Sequence, residues 1–455
     1  MKKKVMLKGK LLRVSILLIA LFTATIYLVT NSRVNSLMDK SIKTKVDNIS
    51  DMGLNIISSK YVGSWKIKSG KLLIGDNQVD NSFNVLDEIK EKTGAHVSIY
   101  LADEKVATSE RNAKGERTLG ERAPNEVVES VLRKGTNYEG TENIFGEKYA
   151  VKYMPIRDNS GKIIGMWSVA VPNSAIGNQR MQIIAMRASI VVISILCGII
   201  GCIILMFYAK KFLTDIDTLK VSFLETNKSS NKTQQRVIGL SLVLIFTFFI
   251  IWFTIQGFTI GNVVNNLENG NIKDRLDVNS KLGLMLFDEI YKGDWSIKDD
   301  KLYKGKVCLN DNDVVLNRIN YNDNYFSTVF MGDISVSTNS SSYDSTKTIG
   351  TKAPSEIVDT VLKRGEEYVG EIDIAGKKYM AKYIPLKDAS GKVIGMWNLG
   401  VEKKVVAKQI RNIRKNITQI SLLAIIVAFS TFVYLSVRMV SDIKNYKVSL
   451  QTNIN

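Results

Sequence analysis

The chain has 455 residues, 45% of them hydrophobic, and a formal net charge of +18. Three cysteines and a single histidine exclude a disulfide scaffold and a histidine-rich metal site, and no CxxC or HExxH spacing occurs. The basic excess flanks long apolar runs, and the polar stretches between them are near neutral, so the charge speaks for membrane orientation and against nucleic acid.

Four uncharged runs, 14–30, 188–208, 237–255 and 417–437, each have the length of a membrane-spanning helix. Basic residues crowd the N-terminus (Lys2, Lys3, Lys4, Lys8, Lys10, Arg13), the 209–236 segment and the tail (Arg438, Lys444, Lys447). The positive-inside rule makes those three segments cytoplasmic. The expected order is a cytoplasmic 1–13, a span at 14–30, an extracytoplasmic domain at 31–187 and a second span at 188–208. A cytoplasmic loop at 209–236, a third span at 237–255, a second extracytoplasmic domain at 256–416, a fourth span at 417–437 and a cytoplasmic tail at 438–455 follow. No ionisable residue lies within a run, so no transport route is marked.

Set against itself at an offset of 230 residues, the chain aligns without a gap over the polar stretches, Trp65 meeting Trp295 and Trp167 meeting Trp397. Between 120–167 and 350–397, 25 of 48 positions are identical. This is one membrane-anchored unit written twice. In each copy, apolar residues at steps of three, four and seven (Val34, Leu37, Met38, Ile42, Val46, Ile49, Ile56) predict an amphipathic helix leaving the membrane. HVSIYLADEKVATS predicts a hairpin around Ala102–Asp103, and YAVKYMPIRDNSGKIIGMWSVAV predicts two strands joined at Asp-Asn-Ser-Gly. Between them APNEVVESVLRKG, with Pro at its start and Gly at its end, predicts a helix of about three turns. The expected fold class is α+β with a mainly antiparallel sheet.

VSIYLADEKVATS, TLGERAPNEVVESVLRKGTNYEG and GEKYAVKYMPIRDNSGKIIGMWSVAV resemble the single Cache domain of bacterial chemoreceptors. The second copy, from TIGTKAPSEIV to GKVIGMWNLGV, resembles it at least as closely, so the likeness covers roughly 61–171 and 291–401. The resemblance implies two PAS-like Cache domains, each a long N-terminal helix and a sheet between two transmembrane helices, with a small molecule bound on the sheet. Such receptors continue into a HAMP linker and a cytoplasmic coiled coil, for which 209–236 and 438–455 hold no sustained heptads.

The tyrosines Tyr149, Tyr153, Tyr379 and Tyr383 and the lysines Lys152 and Lys382 are candidates for holding a small carboxylate, since phenol and ammonium both donate to it. Strand alternation puts Tyr149 and Tyr153 on one face and Lys152 on the other, so they cannot all line one pocket. Arg117 and Arg122, just before the short helix, are further anion candidates, with Lys347 and Lys352 at the matching positions of the second copy. His96 reads as a partly buried strand histidine, and Trp167 and Trp397 as core. No nucleophile elbow, supported carboxylate pair or metal spacing points to an enzyme, and no cofactor is expected. The expectation is a multi-pass protein of the bacterial cell membrane, a sensor of organic acids or amino acids. It would act through partner membrane proteins, as a homodimer or as a heterodimer with full-length chemoreceptors. The alternatives are a module presenting solute to a transporter and a receptor remnant.

Overall fold

The computed structural model describes residues 2–80, 83–176, 230–319, 325–339, 349–374 and 376–403, together with shorter stretches after 180 and after 410. The chain divides into two compact units, one of 1–36, 178–267 and 408–455, the other of 37–177 and 268–407. The first is helical where it is described. The runs 14–30 and 237–255 lie within the helices Lys2–Lys60 (α1) and Ser230–Ile290, with most of their side chains outside the described residues. The runs 188–208 and 417–437 are described only in part. Among the described residues no helix is long and apolar enough to cross a membrane.

The second unit holds the two copies, each α+β with antiparallel sheets. In the first, β1 (Trp65–Lys68), β2 (Lys71–Ile74) and β3 (Asn77–Gln78) form a small meander, which the helix α2 (Asn84–Thr93) follows. The main sheet comprises β4 (His96–Leu101), β5 (Glu104–Thr108), β6 (Tyr138–Ile144), β7 (Glu147–Arg157) and β8 (Ile163–Pro172), in the order β5-β4-β8-β7-β6. The second copy repeats this with a meander at 295–308 and the sheet order β13-β12-β16-β15-β14. These strands are Ile334–Thr338, Tyr325–Met331, Val393–Glu402, Lys377–Lys387 and Tyr368–Ile374.

Local chemistry explains the turns. Ala102, at φ 49°, opens the two-residue turn between β4 and β5. Asp158 Oδ1 accepts from the Ser160 and Lys162 backbone N–H groups at 2.9 and 3.1 Å, closing the β7–β8 turn at Asp-Asn-Ser-Gly. Asp388 does the same in the second copy. Gly75 and Gly305 sit at positive φ where a Cβ would overlap a backbone carbonyl oxygen of the preceding loop, so no other residue fits there.

The helix expected at 125–135 is different. It makes one α turn (Asn125–Val127) and then a π-helix (Val128–Arg133), in which the Lys134 N–H reaches the Glu129 carbonyl. Val127 and Val131 are fully buried and Val128 and Leu132 pack beside them, two pairs four apart that the wider turn keeps aimed at the sheet. The second copy repeats the same switch at Ser355–Ile357 and Val358–Lys363.

Each sheet is covered on both faces. On one side lies the C-terminal half of the long helix, whose Ile49, Met52, Ile56 and Ile57 are buried and whose Ser50 carbonyl accepts from Trp167 Nε1 at 3.1 Å. On the other lies the short π-containing helix, over Tyr100, Tyr149, Val151, Tyr153 and Met166. The two copies also meet: Ser41 Oγ donates to Asn271 Oδ1 at 2.9 Å, a pair separated by the repeat offset itself, and Lys60 reaches Glu289 at 3.3 Å.

Candidate ligand-binding site

Alternation along the strands sends every second side chain of the first sheet toward the short helix. From β4 these are His96, Ser98 and Tyr100, from β7 Val151 and Tyr153, and from β8 Ser168 and Ala170; β6 adds Glu142 and Ile144. Between this face and the loop that enters the short helix lies a cavity of about 240 Å³. Lys105, Glu110, Glu121, Arg122 and Pro124 close it on the loop side, and Phe145, exposed and at φ 52° in the β6–β7 turn, stands at its rim.

Its charges are ordered. Lys105 Nζ donates to Glu110 Oε2 at 3.0 Å, Glu121 Oε2 at 2.8 Å and Thr118 Oγ1 at 3.1 Å. Burial opposes the Lys105 charge, but Tyr100, Glu110 and Glu121 outweigh it and hold its pKa above the ordinary lysine value. Glu142 accepts from the Tyr153 hydroxyl at 2.9 and 3.2 Å, and burial lifts its pKa above the usual carboxylate range despite that bond. Tyr100 and Tyr153, rings 5.8 Å apart, are both pushed up, chiefly by burial. His96 is driven down to about 4 by burial first and by Lys90 and Lys105 after it, so the ring is neutral at pH 7.

The residues singled out in the sequence scatter across this frame. Tyr153 lines the cavity and Tyr149 lies beside it, buried against His96 with ring centroids 5.4 Å apart. Arg122 stands at the edge, exposed, with Nη1 2.9 Å from Asp103. Arg117 lies away from the cavity: it grips Asp87 with two nitrogens, donates to the Thr108 carbonyl at 2.6 Å and stacks on Phe83. Lys152 projects from the opposite face of the sheet to Asp47 at 2.9 Å and Asp51 at 3.6 Å of α1. Lys382 repeats this with Asp277 at 2.7 Å, joined by Glu367 at 2.8 Å. Lys352 is an exposed side chain 3.6 Å from Asp333. Tyr379 stacks edge-on against Phe326, and Tyr383 is buried beside Phe330 and Tyr368.

Reading the sequence did not pick out Lys105, Glu110, Glu121 and Glu142. One signal was available: a turn at Ala102–Asp103 pairs Tyr100 with Lys105 across the hairpin. The second copy carries none of that charge, having Ser335, Thr351 and Ile372 where the first has Lys105, Glu121 and Glu142. Phe326 replaces His96 and its ring lies where a Cβ on Gly400 would be, the position of Ala170. Ile372 joins Phe330, Ile357, Val361, Ala381, Tyr383 and Met396 in an apolar cluster. Among the described residues no group of His, Cys, Asp and Glu is arranged to hold a metal ion.

None of the curated proteins compared with the chain matches it. Among solved structures it is similar to the sensor domain of DcuS from E. coli, with 24% identity over 22% of this chain and 68% of that one, at a TM-score of 0.17. It is also similar to an extracellular ligand binding receptor from Desulfohalobium retbaense, with 9% identity over 82% of this chain and 39% of the other, at a TM-score of 0.21. A further likeness is to an RNA-binding Light-Oxygen-Voltage receptor, with 10% identity, 64% and 83% coverage and a TM-score of 0.19. The family model described as Single cache domain 3 matches twice, at residues 77–183 and 307–413. The repeated sheet, its long covering helix and these two matches agree: the chain carries two tandem single Cache domains.

Proposed function

We propose that the chain is a membrane-anchored extracytoplasmic sensor that binds a small molecule in its first Cache domain and passes the bound state to partner membrane proteins. The observation that carries this reading is the cavity between the sheet and the short helix, lined by buried charged and phenolic groups. The opposite face of the same sheet is joined to α1 by Lys152 and by Trp167. Ligand on one face and helix on the other make the sheet the natural relay.

Anchoring rests on the run 14–30 within α1: 17 uncharged residues extend about 26 Å as a helix, close to the hydrocarbon thickness. The three further runs and the basic segments beside them support four spans with both domains outside the cytoplasm. The side-by-side pairing of the two copies through Ser41 and Asn271 supports helix-to-helix contact as the route of coupling, within the chain or to a partner receptor.

The test is a thermal-shift titration of the full chain in detergent against small amines, carboxylates and amino acids. A ligand present at 100 times its Kd adds about 2.7 kcal/mol to stability, a shift of several degrees. A saturable shift that Tyr153→Phe weakens is the expected result. A folded protein whose melting temperature no compound moves would overturn the sensor reading.

A further inference from the structure

The chemistry of the cavity goes further than its presence. Three carboxylates line it, Glu110, Glu121 and Glu142, against two cations, Lys105 and Arg122. Arg122 is taken by Asp103, and the single charge of Lys105 is shared between Glu110 and Glu121. Arg122 is exposed at the rim, so no buried cation is left to receive an anion. A carboxylate entering the cavity would meet surplus negative charge in a partly dehydrated space, an arrangement that costs free energy without a compensating pair.

We propose that the cavity of the first domain is built for a small protonated amine; this rests on the reading of that cavity as the sensor's ligand site. Glu142 is the counter-charge. It accepts only from the Tyr153 phenol, which leaves acceptor capacity on both of its oxygens. An ammonium beside it relieves the burial that now disfavours its charge.

Two further features of the walls agree. Tyr100, Tyr153, His96 and Phe145 border the space with aromatic rings, and the face of such a ring attracts a cation. His96 bonds the Ser109 backbone and leaves Nδ1 buried with no partner. A neutral imidazole offers an entering carboxylate no charge. An amino acid fits less well than a simple amine, because its carboxylate would lack a cation.

The second domain is an internal control. With Ile372, Ser335, Thr351 and Phe326 at the positions of Glu142, Lys105, Glu121 and His96, it offers an amine neither the counter-charge nor the room. Binding is therefore one amine per chain.

The experiment is isothermal titration of the detergent-purified full chain with ethanolamine and putrescine, and in parallel with succinate and alanine. The expected result is saturable binding of at least one amine at a stoichiometry of one. Affinity falls at least tenfold in Glu142→Gln and in Tyr153→Phe, whose melting temperatures without ligand show both to be folded. Succinate or alanine binding while the amines do not would overturn the amine assignment and leave the sensor reading intact. Two amines per chain, or unchanged affinity in folded Glu142→Gln, would overturn the placement at Glu142. Silence of every probe with folded protein would count against both readings.

Discussion

Lys152 and Lys382 occupy the same position in the two copies and tie the sheet to the long helix, yet their loss should have different consequences. Lys152→Met keeps most of the buried stem and removes the charge. It leaves Asp47 and Asp51, 26% and 16% exposed, facing each other without the ammonium between them. Removing one member of a buried pair costs roughly 3–5 kcal/mol, and this partial exposure brings the expectation to about 2–3 kcal/mol. Lys382→Met leaves Asp277, 42% exposed and still 2.7 Å from Lys281, and Glu367, 53% exposed. Water and Lys281 take over, so the loss is that of a surface pair, under about 1 kcal/mol. In domains of this size the expected falls in melting temperature are about 10 °C for Lys152→Met and about 3 °C for Lys382→Met. Calorimetry of the full chain measures both, and hydrogen exchange assigns each transition to its domain. Changing Asp47 and Asp51 to Asn alongside Lys152→Met should recover most of the loss, since no unpaired charge then remains. Equal losses in the two single variants would refute the reasoning, because partner exposure would then not set the cost.

Four other outcomes are expected. Gly283→Ala should destabilise by roughly 1–2 kcal/mol: a Cβ there overlaps the Trp397 ring edge, and overpacking outweighs a helix-propensity gain of about 1 kcal/mol. Gly53→Ala, whose Cβ would lie 2.9 Å from Trp167, should come out closer to neutral in denaturant titration. Glu142 has a folded pKa above its unfolded value, so its contribution is greatest at low pH and is lost as pH rises through the folded value. Glu142→Gln should therefore gain relative to the unchanged protein between pH 4 and 8, and a pH-independent difference would refute this. Arg117→Ala should lower stability by roughly 2–3 kcal/mol through its lost bonds to Asp87 and Thr108 while leaving ligand affinity within twofold; a tenfold loss of affinity in the folded variant would place Arg117 in the site.

The elements were legible where a short stretch of chain determines them. The β4–β5 hairpin, the Asx turn at Asp158 and the two long strands that follow depend on residues within a few positions of one another. The alternation that puts Lys152 opposite Tyr149 and Tyr153 is also local, and it is what the structure has. The π-helix at 128–133 was not legible, because its width answers to the sheet beneath Val127 and Val131 rather than to its own residues. The site was the least legible part. Arg117 and Arg122 drew attention as cations beside a helix start, but whether a cation is free depends on partners far along the chain, such as Asp87, 30 positions from Arg117. Lys105 and Glu142 look like ordinary surface charges until the fold brings β5 and β6 to the same cavity.

The duplication sharpens that distinction. Both copies have the lysine that reaches the aspartate of the long helix, Lys152 to Asp47 and Lys382 to Asp277, and both have the buried tryptophan against a helix glycine. Both keep the π turn and the Asx turn. Where the cavity is lined they part: Lys105, Glu121, Glu142 and His96 stand against Ser335, Thr351, Ile372 and Phe326. The shared residues hold helix to sheet and fix the turns, which any domain of this shape requires. The divergent ones are polar groups around a cavity in the first copy, where the buried Lys105 needs the partners that Glu110, Glu121 and Thr118 supply. The second copy replaces two of them with Ile372 and Phe326, which need no partner, and the other two with Ser335 and Thr351, whose hydroxyls pair with each other at 3.2 Å, so on a shared sheet the same position carries charge in one domain and none in the other.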